Sequence, residues 1–364
     1  MSRLRHRHPR PLALTGAAGF SGKISGMPLV DLLGRPLRGL RVSVTDRCNL
    51  RCQYCMPEEE YTWLPREDLL TFDEIVVLVR QFVRLGVNKI RLTGGEPLLR
   101  RGLPSLVAAL ASLPGLDDLA LTTNGVLLGG QAQALRDAGL RRITVSLDTL
   151  RPDRFTALTR LHTHDRVLEA IEVAARVFGS LKIDTVVMRG INDDEMVSLV
   201  EFGRRLNAEV RFIEYMDVAG ATRWLPEQVV SRVEMLERLS AHYGPLEPIE
   251  EGTWAPADRF RLRDGATVGV IASTTTPFCG TCDRARLTAD GLWFRCLYAT
   301  EGMDLRGPLR AGVPLEELGA RIERAWRARA DQGAELRLAE RERVALPAVS
   351  LKGRPHLEMH TKGG

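Results

Sequence analysis

The sequence predicts an α/β fold: a partial (β/α)6 barrel over residues 29–245, followed by a C-terminal extension. Three observations predict it. Six β-rich runs alternate with amphipathic stretches of helical period. The runs are nearly continuous in apolar residues, as strands of a buried parallel sheet are. The chemically unusual residues fall directly after the runs, at what would be the carboxyl edge of such a sheet, where α/β barrels place their chemistry.

The elements follow in order. The predicted strands are "LRVSVT" (40–45), "KIRLT" (89–93), "DLALTT" (118–123), "RITVSLD" (142–148), "KIDTVVM" (182–188) and "EVRFIEYM" (209–216). In "TFDEIVVLVRQFVRLG" (71–86), Ile75, Leu78, Val79 and Phe82 recur at helical spacing. Thr71 is its predicted N-cap, with Glu74 completing a capping box. Residues 131–140, 193–207 and 226–243 predict further helices. Six units fall short of an eight-fold barrel, and no two further units are evident downstream. Pro/Gly punctuation around 245–265 predicts a seam, which sets a C-terminal region at 246–345 and an extended tail at 346–364. Residues 1–28 form a basic extension, without acidic residues and without the apolar core of a secretion signal. It is read as a disordered extension, or as an upstream start before Met27, with an organellar transit peptide as the alternative.

The 364 residues are 44% hydrophobic and 27% charged, which suits one large globular domain with an extension. No run reaches the roughly 18 apolar residues of a membrane span, so no membrane partner is expected. The net charge of +5 suggests either nucleic acid or a small polyanion. An aromatic content of 5% is poor material for base-stacking platforms and argues against nucleic acid. Most of the basic residues are arginines, whose forked guanidinium suits phosphate oxygens.

The six cysteines fall in two groups of three, Cys48, Cys52 and Cys55, then Cys279, Cys282 and Cys296. Short spacings in a large chain favour metal sites in a reducing compartment over disulfides. Structural zinc asks for four ligands, and this chain would leave it one short twice, with no histidine adjacent to either group. A [4Fe–4S] cluster held by three thiolates keeps one iron open for a non-protein ligand.

The spacing C-x3-C-x2-C in "DRCNLRCQYCMP" (46–57), with "TGGEP" (93–97) after the second strand, resembles the radical S-adenosylmethionine (SAM) superfamily. The second group in "FCGTCDRARLTADGLWFRCL" (278–297), together with "FIEYMDV" (212–218) and a terminal Gly-Gly, narrows the resemblance to the GTP 3′,8-cyclases, the MoaA family of molybdenum cofactor biosynthesis, from about Leu29 to Gly364. The resemblance implies a radical SAM barrel with a cluster-binding C-terminal extension. It implies two [4Fe–4S] clusters, one on each cysteine triad, with SAM chelating the open iron of the first. Tyr54, Gly95, Ser146 and Met216 match positions that contact SAM. Arg41, Arg91, Thr122, Lys182, Arg211, Arg284, Ala285 and Arg286 match positions lining the GTP pocket, with Ala285 contributing backbone. Arg284, Arg286, Gly363 and Gly364 match positions that serve catalysis, the two glycines reaching into the pocket from the tail.

In that family the adenosyl radical takes the 3′ hydrogen of the ribose and C3′ bonds to C8 of guanine. The product, (8S)-3′,8-cyclo-7,8-dihydroguanosine 5′-triphosphate, passes to a cyclic pyranopterin synthase. An external electron donor, a bacterial-type cytoplasmic location and room for a homodimer come with the resemblance. One departure stands out: Lys362 occupies a place where an apolar residue is expected before the two glycines. Two rival readings account for part of the sequence. One is a radical SAM peptide-modifying enzyme with an auxiliary cluster. The other is a metal-stabilised nucleic-acid-binding protein, which leaves the motifs after the strands unexplained.

Overall fold

The computed structural model describes residues 28–363, apart from 251, 253 and 352. The basic extension up to residue 27 and Gly364 therefore lie outside the described residues. The six expected strands are present: β1 (Gly39–Ser43), β2 (Lys89–Thr93), β3 (Asp118–Thr123), β4 (Arg142–Ser146), β5 (Leu181–Val187) and β6 (Ala208–Glu214). Each is followed by helix: α1 (Phe72–Arg84), α2 (Leu103–Ala111), α3 (Ala132–Asp137), α4 (Pro152–Thr159) with α5 (His164–Phe178), α6 (Met196–Arg205) and α7 (Arg232–Tyr243). The capping box at Thr71 forms as expected: its hydroxyl accepts from the Glu74 amide at 3.1 Å, and Glu74 accepts from the Thr71 amide at 2.7 Å.

The sheet goes further than the sequence periodicity suggests. Beyond β7 (Glu247–Ile249) and β8 (Asp258–Arg261), β9 (Thr267–Ile271) adds parallel to β6, and β10 (Arg284–Leu287) adds parallel to β1 on the other side. β11 (Leu292–Phe294) and β12 (Met303–Asp304) follow β10. The order β12-β11-β10-β1-β2-β3-β4-β5-β6-β9-β8-β7 contains eight parallel strands and stays open, since β9 and β10 are not neighbours in it. Among the described residues no further β-then-α unit follows the six, as expected, but two strands without an intervening α-helix extend the parallel sheet. β9 and β10 are joined by a cysteine loop rather than a helix, so no β-then-α period marks them. The sheet also runs through the expected seam at 245–265 without interruption.

Alternation along the strands separates two environments. Leu40, Val42, Ile90, Leu92, Ile143, Val145, Ile183, Val210 and Phe212 are buried in the apolar core. The intervening positions are polar: Arg41, Arg91, Thr122, Ser146, Lys182, Asp184 and Arg211. Register aligns Arg286, Arg41 and Arg91 across β10, β1 and β2. The core is thus an outer layer between sheet and helices, and the inner face of the sheet is a polar lumen.

The C-terminal helices α8 (Arg306–Arg310), α9 (Leu315–Arg327) and α10 (Gly333–Ala339) follow the strands. Leu318, Ile322 and Trp326 of α9 enter the main core, with the Trp326 indole donating to the Arg35 carbonyl. The tail is not the extended arm that its sequence predicts. It folds into short turns, α11 (Ala348–Leu351), a 3-10 turn at Pro355–Leu357 and α12 (Met359–Lys362). Such four-residue turns are too short to show a helical period. No described helix is long and apolar enough to cross a membrane.

Candidate active site

Both cysteine triads line one cavity of about 330 Å³ on the carboxyl side of the sheet. Tyr54, Gly95, Ser146, Met216, Thr122, Arg41, Arg284 and Arg286 share its wall. None of the six cysteines forms a disulfide.

The first triad sits on the loop after β1. Its turn is closed by Met56 N donating to the Cys52 carbonyl at 2.7 Å, and Leu50 N approaches the Cys48 sulfur at 3.5 Å. Burial pushes the Cys48 thiol up to about 11, and raises Cys52 and Cys55 further. Protons are thus held there until a metal displaces them. Among the described residues no three Cys, His, Asp or Glu side chains converge on a point that one metal ion would occupy. A cubane takes one thiolate per iron and fits a wider triangle of sulfurs lining a cavity.

Gly94 and Gly95 are packed directly on the cysteine loop. Gly95 N donates to the Thr45 carbonyl at 2.8 Å, and a Cβ on Gly95 would meet the Arg47 carbonyl oxygen at 2.3 Å. No side chain fits there without moving that loop. Gly95→Ala is expected to lower both the melting temperature and SAM affinity, as measured by thermal denaturation and calorimetry. The adjacent Glu96 ties its own turn to the one after β3: it accepts from Leu98 N at 3.0 Å, Thr123 Oγ1 at 2.7 Å and Asn124 N at 2.8 Å. Asn124 in turn reaches Asn49 at 2.8 Å and the Cys48 sulfur at 3.8 Å. Tyr54 donates from its hydroxyl to Asp148 at 2.8 Å, fixing the aromatic ring before Cys55.

The second triad is braced by residues far away in sequence. Arg35 donates to the Cys279 carbonyl at 2.9 Å and Arg329 to the Cys282 carbonyl at 2.8 Å, and both pair with the buried Asp31. Burial raises Cys279, while the amides of Glu335 and Ala334 at the start of α10 oppose that rise. Burial also acts to raise Cys282, yet the Arg284 and Arg329 charges overcome it and bring the thiol down to about 7. Gly333 lets α10 approach, since a Cβ there would meet the Cys296 sulfur at 3.0 Å.

The lumenal arginines crowd one another. Burial lowers Arg41 well below the ordinary guanidinium range, and Arg286, Arg91 and Arg284 add to the effect. Burial likewise brings Arg91 and Arg286 down to about 10. Arg91 is held by the Thr122 and Thr144 hydroxyls at 2.8 and 3.0 Å. Lys182, near the amino end of β5, and Arg211, in the middle of β6, are both paired with Glu209, at 3.8 and 2.5 Å. Like Arg91, they lie beyond the cavity wall proper. Ala285 faces the other way, its methyl group in the outer core.

The tail closes the site. Met359 and His360 line the cavity, with Met359 N donating to the Ala219 carbonyl at 2.9 Å. Arg286 donates to the Gly363 carbonyl at 2.7 Å. Gly363 has φ +73, and a Cβ on it would meet Thr93 Cγ2 at 2.5 Å, so only glycine fits. The His360 ring packs edge-on to Tyr61 and Trp63, at 5.4 and 5.9 Å. Burial lowers it to about 4, which leaves it neutral at pH 7. No local signal in the sequence links His360 to a cysteine loop three hundred positions earlier, and the roles of Glu96 and Asn124 inside their motifs are equally silent.

The sequence pattern of the Radical SAM superfamily matches residues 42–203, and that of Molybdenum Cofactor Synthesis C matches residues 208–335. A GTP 3′,8-cyclase 3 of Mycobacterium bovis is 56% identical over 347 residues, covering 94% of this chain and 92% of that protein. A GTP 3′,8-cyclase of Acidothermus cellulolyticus is 47% identical over 361 residues, covering 93% and 99%. In solved structures the fold is similar to that of Streptococcus suis SuiB bound to S-adenosylmethionine, with TM-score 0.55 at 15% identity over 79% of this chain and 68% of that one.

Proposed function

This chain belongs to the GTP 3′,8-cyclase (MoaA) family of radical SAM enzymes, and from that premise we propose that its two cysteine triads each hold a [4Fe–4S] cluster in the one shared cavity, with SAM and GTP between them. The activity is conversion of GTP, with SAM, to (8S)-3′,8-cyclo-7,8-dihydroguanosine 5′-triphosphate, an early step of molybdenum cofactor biosynthesis. The observation that carries the arrangement is the sharing of a single cavity wall by both triads and by Arg41, Arg284 and Arg286.

Cys48, Cys52 and Cys55 would hold the first cluster, and Cys279, Cys282 and Cys296 the second. The first cluster with bound SAM supplies the radical chemistry that removes a ribose hydrogen. The chain's own residues do the rest. Gly94 and Gly95 bring backbone against the SAM side of the cavity, and Tyr54, Ser146 and Met216 complete that wall. Arg41, Arg284 and Arg286 receive the triphosphate, which relieves their mutual repulsion. Arg91, Lys182, Arg211 and Thr122 shape the lumen beneath it. Holding C3′ against C8 and keeping water out are the protein's contributions to rate. An external electron donor serves the first cluster, and a cyclic pyranopterin synthase consumes the product.

Anaerobic purification tests the cluster assignment. Brown protein carrying about eight irons per chain, as two cubanes require, together with GTP binding is expected. Colourless protein with zinc would overturn it. The phosphate role is tested separately by Arg41→Ala. A hydrogen bond to a charged group contributes about 1.5–3 kcal/mol, so GTP affinity by calorimetry is expected to fall roughly ten- to a hundredfold. Added salt should weaken wild-type binding more than that of the variant, and unchanged affinity would remove Arg41 from the phosphate site.

A further inference from the structure

Lys362 is the residue where this tail departs from an apolar pattern, and the structure buries it almost completely, at 2% exposure. Its Nζ donates to the Leu297 carbonyl at 3.0 Å and the Ala299 carbonyl at 2.6 Å, and lies 4.6 Å from the centre of the Phe294 ring. These three partners bracket Cys296 on both sides in sequence. The neighbouring Gly363 carbonyl is the one that Arg286 holds at 2.7 Å.

A buried ammonium near a guanidinium is a costly choice if the slot only needs filling. An apolar side chain would fill it without desolvating a charge. The lysine instead supplies donors to two carbonyls of the loop that carries the third cysteine of the second triad, and a cation to an aromatic face. We propose that Lys362 is a positioning residue that locks the C-terminal tail to the Cys296 loop, so that placement of Gly363 beside Arg286 depends on the conformation of the second cysteine group. The inference deepens the cyclase reading by naming a device that registers the tail against the second cluster's loop. With the loop in place its carbonyls converge on Nζ, and with the loop displaced this hold on the tail is lost.

Lys362→Met tests this, since methionine keeps an apolar stem of similar length and removes every donor. Hydrogen exchange is measured on the full chain with its clusters reconstituted, without SAM or GTP. The expected result is at least tenfold faster exchange at the tail amides of Met359–Gly363, with the rest of the barrel unchanged. In turnover, 5′-deoxyadenosine formed per cyclised product should rise severalfold, through kcat rather than through the KM for GTP, and Lys362→Arg should recover part of both effects. Tail exchange equal to wild type would show that the lysine merely fills a slot and would overturn the proposal. Faster exchange spread evenly over the chain would overturn it too, by making the residue part of general stability. The exchange readout needs no substrate, so it stands apart from any failure of the GTP assignment.

Discussion

Cys48→Ala is expected to abolish 5′-deoxyadenosine release with or without GTP, whereas Cys282→Ala should lose cyclisation and keep uncoupled SAM cleavage. The two triads share a cavity but are held by different parts of the molecule. The first depends on the β1 loop, Gly94, Gly95 and the Glu96–Asn124 network. The second depends on Arg35, Arg329, Asp31 and the start of α10. Among the described residues no side-chain hydrogen bond links one triad's brace to the other's, so losing a cluster from the second triad is expected to leave the first triad able to bind and reduce SAM. Their environments also differ. Burial keeps the first thiols protonated until metal arrives, while Arg284 and Arg329 bring Cys282 down to about 7. The measurement is 5′-deoxyadenosine by chromatography with and without GTP, alongside iron content. Equal loss of SAM cleavage in both variants would contradict the division.

Deleting Gly363 and Gly364, or appending a tag after them, is expected to lower cyclisation by roughly a hundredfold, the scale associated with a misplacement of about 1 Å at a reacting centre. Iron content and SAM cleavage should survive. Gly363 accepts from Arg286, one of the arginines lining the cavity, and it sits where Thr93 and a φ of +73 admit no side chain. Without it, Arg286 is free to adopt other rotamers, and the cavity wall formed by Met359 and His360 loses its closing segment. Gly363→Ala is the sharper variant, because it keeps chain length and changes only a Cβ that the Thr93 methyl group and the φ of +73 both exclude. Full cyclisation by either variant would return the tail to a passive role.

The two experiments bear on features of unequal legibility. Cysteine spacing, Gly-Gly-Glu-Pro and the capping box at Thr71 are local: the chemistry needs residues within one loop or one turn, so the pattern is written contiguously. The six β-then-α units are readable for the same reason, since period 3.6 and apolar runs repeat within each unit. The polar positions of β5 and β6 are visible as letters, but their sharing of one inner face depends on register. β9 and β10 escape because a four- or five-residue strand joined by a cysteine loop carries no period.

By itself, then, the sequence determined the barrel units, the two thiolate triads and the family to which the chain belongs, because each is a contiguous pattern of residue types. Only the tertiary structure decided that both triads open into one cavity, that Lys182 and Arg211 are already paired with Glu209, and that the tail folds into turns and anchors through a buried lysine. The longest of those outcomes brings Cys48 and Cys296, 248 positions apart, to one cavity wall. The free energies of these outcomes depend on burial and on which carbonyl or charge stands opposite, and neither quantity exists until the sheet has brought the segments together.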